Sequence, residues 1–286
     1  MTSSMTRYRK YLFIAPLALF LLITLGYPLV TNIIYSFSDV TFRTIRSPRL
    51  IGVQHYKEVL TSAAFWGSFW FSARFAIVAT FFEVLLGLGL AIALAPLLER
   101  YKILLTFIML PLMIAPVLMG IMYRLLLNEF VGPISQIMQM FGIYVSLLNP
   151  PWIVGTLVTI EILQWTPFAF LIIFSGLQSI SGDVIEAARI DGASEWGVFW
   201  YITIPALLPN ISIAAFVRFV DSFRVFDHIY VLTGGGPGRM TTSLSIFIYK
   251  SFFQQEQIGT AVAAAMVLLI VFLIPLIFSM RQITRK

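Results

Sequence analysis

Long apolar runs separated by short polar stretches dominate the chain. Six of these runs are long enough to cross a bilayer, because a spanning helix needs about 20 predominantly apolar residues. The runs cover residues 11–36, 69–97, 103–127, 151–178, 206–232 and 258–280. This pattern predicts an all-α membrane protein of six transmembrane helices, with residues 1–286 forming a single transmembrane domain.

Prolines modify this regular pattern at two runs. Pro111 and Pro116 lie inside the third run and predict a kink, because proline removes a helical hydrogen bond and clashes with the preceding turn. Pro150 and Pro151 open the fourth run, which also carries Pro167 in its interior.

Composition agrees with a membrane protein. Hydrophobic residues make up 59% of the chain, charged residues 11%, and the mean hydropathy is +0.91, whereas soluble domains carry about 25% charged residues. The chain has no cysteine, which excludes disulfides and thiolate metal sites. The net charge of +6 does not indicate nucleic-acid binding, since many Lys and Arg residues flank apolar runs.

Basic residues also predict the orientation in the inner membrane. Arg7, Arg9 and Lys10 precede the first run, and Arg281, Arg285 and Lys286 follow the last one. Because positive charge favours the cytoplasmic side, we expect an uncleaved first span and two cytoplasmic termini. Four basic residues fall on a stretch assigned to the outside, against this trend: Arg43, Arg46, Arg49 and Lys57.

The connection between the fourth and fifth runs has the character of a soluble helix-turn-helix. Asp183 is predicted to cap a short helix, with Glu186 as its capping partner. Gly192 suits the left-handed residue that ends this helix. Ser194 is predicted to cap a second short helix, and Pro205 to lie at the start of the next long helix. Exposed apolar residues on such a loop indicate that a partner covers it.

Two motifs carry a family resemblance. The loop 181–205 reads Glu186-Ala-Ala-Arg-Ile-Asp191-Gly192-Ala193 and continues to Pro209 in the pattern E-A-A-x-x-D-G-A-x-x-x-x-x-F-x-x-I-x-x-P-x-x-x-P. It resembles the EAA loop of ABC importer permeases and is most similar to that of the carbohydrate-uptake, maltose-type subfamily. A second stretch, F-D-H-I-Y-V-L-T-G-G-G-P at 226–237, resembles a phrase of the same subfamily.

The resemblance implies a type I ABC importer permease fold and a non-catalytic permease subunit, without bound cofactor or metal, that forms half of a translocation pathway. The implied solute is a sugar or a related compound: an oligosaccharide, a polyol, a glycerol phosphate or a sugar acid. The implied partners are a second, homologous permease, two ATPase subunits that carry ATP and Mg, and an extracytoplasmic solute-binding protein.

The resemblance also implies that the EAA loop forms a coupling helix that docks into a cleft of the ATPase. The positions that match the family motif are Glu186, Ala187, Ala188, Asp191, Gly192, Ala193, Phe199, Pro205 and Pro209.

Polar residues inside the apolar runs are candidates for the solute pathway, since charged groups within a membrane usually face protein or water. They are Glu83, Glu161, Gln164, Arg218, Asp221, Arg224 and Asp227. A structural interpretation stays open beside this one. Arg218 with Asp221, and Arg224 with Asp227, have the spacing of neutralising pairs on a helix. The two glutamates could instead pair with arginines of a partner subunit.

Other chemistry is absent from the sequence. There is no G-x-x-x-x-G-K-[ST] phosphate loop, and His55 and His228 form no metal-ligand spacing. Any ATP hydrolysis must therefore come from another polypeptide. Two rival classes stay open: a secondary transporter that uses Glu83, Glu161 or Asp221 as proton carriers, and a non-transporting scaffold that docks an ATPase.

Overall fold

A computed structural model describes residues 13–283, except for the side chains of Glu99 and residues 274–283. The predicted basic ends, with Arg7, Arg9, Lys10, Arg285 and Lys286, lie outside the described residues, as do positions 11 and 12 of the first predicted span.

Helices form most of the described chain. The first seven are α1 Phe13–Ser36, α2 Gln54–Thr61, α3 Ala63–Arg100, α4 Ile103–Met109, α5 Pro116–Leu126, α6 Pro133–Met140 and α7 Ile153–Gln178. The remaining six are α8 Gly182–Ile190, α9 Glu195–Val198, α10 Ile204–Phe223, α11 Asp227–Thr233, α12 Leu244–Tyr249 and α13 Ile258–Ile283. Two short strands, β1 Ser38–Asp39 and β2 Arg49–Leu50, pair antiparallel between α1 and α2.

Contacts within the chain define two compact units. The first contains the chain up to Trp66 together with Phe247 onward, and the second contains Gly67–Ile246. In the first unit, α13 packs against α1 and α2. Its small core contains the buried side chains of Val40, Ile258 and Val262.

A polar cluster ties α2 to α13 within the first unit. Thr260 donates a hydrogen bond from Oγ1 to Glu58 (3.4 Å), and Gln54 donates from Nε2 to the same carboxylate (3.1 Å). His55 Nδ1 lies 3.3 Å from Glu58 Oε2. Burial acts to raise the pKa of Glu58, but hydrogen bonds from Gln54, His55 and Thr260 lower it below its ordinary value.

The second unit is built around α7, which packs against α10 and the middle of α3. Buried Ala169, Phe170 and Ile173 of α7 meet Leu207 and Ala214 of α10 in one apolar cluster. Small residues let the helices approach closely. A Cβ at position 87 of α3 would lie 2.8 Å from the backbone nitrogen of position 170, and one at position 176 of α7 would lie 2.5 Å from the side chain at position 210.

Four helical stretches of the described residues are long and apolar enough to cross a membrane, or five if one bent pair counts as a span. The four are Phe13–Ser36, Ala63–Leu98, Ile153–Gln178 and Glu195–Thr233. The side chains of the last helix are described only through Leu273, which leaves a shorter apolar stretch, Ile258–Leu273. The helical membrane fold is confirmed, while the count of six spans and the single domain over 1–286 stay predictions.

The third predicted span is broken, and the proline positions explain the break. Segments Ile103–Met113 and Pro116–Leu126 meet at an angle of 87°. Ala115 has the extended conformation (φ −59°, ψ 136°) that a residue before proline prefers. Gln164 of α7 donates from Nε2 to the carbonyl of Ile114 at 2.9 Å, which satisfies a group that the break frees. The predicted kink is confirmed and is a complete interruption.

One predicted boundary was wrong, and one predicted span contains an interruption. The second helix begins at Ala63 instead of residue 69, because its amphipathic first turn was assigned to the polar loop. The fifth predicted span, 206–232, lies within the candidate span Glu195–Thr233, and its helix is interrupted between α10 and α11. There the hydroxyls of Ser243 and Ser245 donate to the carbonyls of Val225 (2.7 Å) and Arg224 (2.9 Å), which replace the missing helical bonds.

Candidate functional site

A buried ion cluster joins three helices of the second unit. Arg218 of α10 donates from Nε to Glu83 Oε2 of α3 at 2.7 Å and from Nη2 to Glu83 Oε1 at 3.2 Å. The same Nη2 donates to Glu161 Oε1 of α7 at 2.8 Å. The side chains of Arg218 and Glu83 are fully buried. One guanidinium therefore neutralises carboxylates that lie far apart in the sequence.

Two further side chains complete the cluster. Ser222, one turn after Arg218, accepts a hydrogen bond from Nη2 (3.0 Å) and donates to Glu161 (3.1 Å). Trp165 lies beneath the guanidinium, with its ring centroid 4.3 Å from Cζ. Such a cation–π contact adds to the ion pairs that hold the arginine.

The structure corrects the predicted pairing of these charges. Glu83 and Glu161 bind Arg218 of the same chain, so they need no arginine from a partner subunit. The predicted pair of Arg218 with Asp221 is present at 3.8 Å, and Asp221 also accepts a closer bond from Arg224 at 2.9 Å. The predicted pair of Arg224 with Asp227 does not form within the described chain. Spacing along one helix could not reveal that distant helices compete for the same guanidinium.

A cavity of about 550 Å³ opens beside the cluster, within the second unit. Its lining contains most of the predicted pathway residues together with several that the sequence interpretation missed: Pro116, Glu161, Trp165, Arg218, Asp221, Arg224, Val225, Phe226, Asp227, His228 and Ser245. Glu83 lies behind the cluster and does not line the cavity, and neither does Gln164. His228 belongs to the second sequence motif, which could have identified it.

Two buried nitrogens near the cavity lack a hydrogen-bond partner among the described residues: Arg218 Nη1 and His228 Nε2. The other ring nitrogen of His228 lies 3.6 Å from Glu161 Oε2. Buried donors and acceptors are rarely left unsatisfied, so these atoms are candidates to meet water or solute in the cavity. In the described part of the chain, no three His, Asp or Glu side chains form a group that could hold a metal ion.

The EAA loop forms a short helix and a tight turn. Helix α8 begins after Ser181, which has an extended backbone, while Asp183 lies inside its first turn. The predicted cap at Asp183 with Glu186 as partner was therefore wrong, since the chain enters the helix two residues earlier. Gly192 has φ +84°, which confirms the predicted left-handed residue.

The second half of the loop continues directly into the next long helix. Ser194 Oγ accepts from the amide of Gly197 at 3.2 Å, which confirms the predicted cap. The predicted second short helix is α9, Glu195–Val198, and a π-helical turn, Phe199–Thr203, joins it to α10 without a gap. Pro205 lies at the start of α10, as predicted, where a residue without an amide hydrogen is well tolerated.

The loop presents an exposed surface with both charged and apolar groups. Ile190 (86% exposed), Trp196 (70%) and Tyr201 (84%) face outward. Arg189 forms two hydrogen bonds with Glu195, at 2.8 and 3.1 Å, which brace the turn between α8 and α9. These bonds raise the pKa of Arg189. Glu186 is exposed on the same loop.

Broken helices, a midspan charge cluster and a helical loop with a free apolar surface define a polytopic membrane permease. The family model "Binding-protein-dependent transport system inner membrane component" matches residues 83–286. The chain belongs to this family, as a sugar ABC importer permease of the multi-pass inner-membrane type.

Relatives and solved structures agree with this assignment. A probable ABC transporter permease, y4oQ of Sinorhizobium fredii, is 34% identical over 258 residues, covering 88% of this chain and 82% of the relative. The trehalose/maltose permease MalF of Thermococcus litoralis is also 34% identical, covering 91% and 90%. A bacterial alginate ABC transporter, solved with its alginate-bound periplasmic protein, has a chain of the same fold, with TM-score 0.80, 21% identity and coverage of 95% and 92%.

Proposed function

We propose that this chain moves a sugar or related solute through the cavity beside Arg218 and couples that movement to a partner ATPase through the EAA loop. The observation that carries the proposal is that the cavity and the EAA loop lie in the same compact unit of the chain. Helix α10 contributes Arg218 to the cavity and continues, through the π-turn, into the helix that bears Trp196. A movement of the loop therefore also moves the helix that forms part of the cavity wall.

The cavity supports a pathway for a hydroxylated solute. Its volume of about 550 Å³ falls in the range of small-molecule sites, about 300–1,000 Å³. Carboxylates of Asp221 and Asp227 supply acceptors, and the hydroxyl of Ser245 can both donate and accept. Glu83 has a different role in this proposal: it does not line the cavity, and its ion pair with Arg218 holds that side chain in place.

The EAA loop supports docking of an ATPase. Its apolar residues Ile190, Trp196 and Tyr201 are exposed, and exposed apolar groups on a solvated loop indicate an interaction site. Glu186 supplies a charge for a basic residue of the partner. The ion pair of Arg189 with Glu195 links the end of α8 to the start of α9 and favours movement of the two short helices together.

The proposed assembly contains a second homologous permease, two ATPase subunits that bind ATP and Mg, and an extracytoplasmic solute-binding protein. The periplasmic protein in the alginate transporter supports the last of these partners. Both termini of this chain lie in the cytoplasm in this arrangement, so the EAA loop also faces the ATPase. ATP hydrolysis belongs to the partner, and this chain is a non-catalytic subunit.

Purification of the tagged chain in mild detergent, with mass spectrometry of the bound proteins, tests the proposal. We expect a second permease and an ATPase to be recovered, and solute-dependent ATP hydrolysis after reconstitution with the binding protein. A chain that is purified without partners yet transports solute under a proton gradient would instead be a secondary transporter. In that case Asp221 and Glu161 would become the candidate proton carriers.

A further inference from the structure

The cavity and its immediate surroundings contain more acidic than basic side chains. Its lining contains the carboxylates of Glu161, Asp221 and Asp227 and the guanidiniums of Arg218 and Arg224. Glu83 adds a fourth carboxylate directly behind Arg218. With every carboxyl and guanidinium group ionised and His228 of the lining neutral, acids outnumber bases by four to two, and protonation of any one carboxylate still leaves an acidic excess.

Neither arginine is free to bind an anion. Arg218 already gives its Nε and Nη2 to two glutamates and lies against Trp165. Its remaining nitrogen, Nη1, lies 3.8 Å from a carboxylate oxygen of Asp221, so an anionic solute that approached it would meet that negative charge. The exposed Arg224 donates to Asp221 at 2.9 Å. The basic residues of the cavity are thus occupied by acids of the same chain.

One carboxylate in the lining is available for a solute. Asp227, in the first turn of α11, is exposed and makes no ion pair with another described residue. A carboxylate accepts hydrogen bonds from hydroxyl groups but repels phosphate, sulfonate or other carboxylate groups. Charges of one sign in a cleft also enrich ions of the opposite sign and deplete ions of the same sign.

From this arrangement we infer that the cavity of this chain selects by charge, admitting neutral hydroxyl-rich solutes and excluding anionic ones such as sugar acids and sugar phosphates. The inference rests on the proposed function in placing the solute pathway here. It narrows the class of solute, because the motifs of the chain are compatible with neutral and anionic compounds alike.

The absence of native cysteine allows a direct measurement of this selectivity. Ser245 lines the cavity, and Ser245→Cys is a nearly isosteric reporter. The full chain, with whatever partners it retains, would be reconstituted in lipid nanodiscs. It would then react with cationic, neutral and anionic methanethiosulfonate reagents of similar size, with rates normalised to those of a free thiol. We expect the cationic reagent to react about tenfold faster than the anionic one, with the neutral reagent between them.

Two charge-neutralising variants in the Ser245→Cys background make a matched pair. Asp227→Asn should lower the ratio of cationic to anionic rates, and Arg224→Gln should raise it. Equal normalised rates, a faster anionic reagent, or no labelling by any reagent would overturn the inference, which requires a water-filled, acidic cavity. The labelling rates can be measured whether or not an ATPase is purified with the chain. Failure of the partner purification would therefore be distinguished from the absence of a preference for cationic reagents.

Discussion

Arg218 and Glu83 form a bidentate ion pair across 135 positions of the sequence, at 2.7 and 3.2 Å, with both side chains fully buried. Because Glu161 binds the same guanidinium, the pair extends to a third helix. The pairing changes the interpretation of the midspan charges. Glu83 and Arg218 hold helices together, while Asp221, Arg224 and Asp227 remain at the cavity surface.

Removal of Arg218 should destabilise the protein severely. Arg218→Ala leaves two buried carboxylates without a counter-ion, which costs about 3–5 kcal/mol. Arg224→Ala is the matched control, since its side chain is 61% exposed and its single pair is worth about 0–1 kcal/mol. Thermal unfolding of the purified variants in nanodiscs measures both effects. Adding Glu83→Gln to Arg218→Ala should recover part of the loss, and no recovery would contradict the assignment of this pair.

Gly87 and Gly89 should respond very differently to the same small substitution. A Cβ at Gly87 would lie 2.8 Å from the backbone nitrogen of Phe170, whereas one at Gly89 has open space around it. We expect Gly87→Ala to cost about 1–3 kcal/mol through overpacking and Gly89→Ala to be neutral or slightly stabilising. Melting temperatures of the two variants provide the comparison. Similar values for both would show that α3 does not approach α7 this closely.

Gly192 should be required for coupling and not for insertion. Its φ of +84° is unfavourable for other residues and most of all for β-branched ones. We therefore expect Gly192→Val to insert normally but to lose solute-driven ATP hydrolysis, with Gly192→Asn less affected. Gly182→Ala, which meets nothing within 4 Å in the same loop, is the control. Unchanged solute-driven ATP hydrolysis in Gly192→Val would show that the loop does not take part in coupling.

Acid should weaken the contact between α2 and α13. The pKa of Glu58 is lowered in the folded protein, so its contribution is present above the unfolded value of about 4.3 and is lost as the pH falls through the folded value. The melting temperature of the wild type should exceed that of Glu58→Gln at pH 7, and the difference should shrink as the pH falls below the unfolded pKa of about 4.3. A difference that does not change with pH would mean that the charge of Glu58 is irrelevant to the contact.

Local patterns predicted the parts of the fold that depend on neighbouring residues. The apolar runs predicted the long helices. Pro111 and Pro116 predicted the break in the third one, and Gly192 predicted the left-handed turn. Ser194 was correctly assigned as a cap, whereas Asp183 was not, because two candidate caps lay within one turn. The π-turn at Phe199–Thr203 has no local signal that separates it from an α-helix.

The ion cluster illustrates what sequence patterns could not provide. Arg218 has an aspartate three residues away, and that spacing favours a pair on one helix. The helix packing instead brings Glu83 and Glu161 closer to the guanidinium, and only a three-dimensional arrangement shows this. The presence of midspan charges was predictable, but their division into structural and cavity-facing groups was not.

The ion cluster also places a constraint on how the protein is made. Synthesis proceeds from the N-terminus, so Glu83 and Glu161 leave the ribosome 135 and 57 residues before Arg218. Each unpaired charge in the bilayer centre costs about 2.5–3.5 kcal/mol. Insertion of the helices that carry the two glutamates is therefore less favourable until Arg218 is synthesised, and the fifth apolar stretch brings the counter-ion for both.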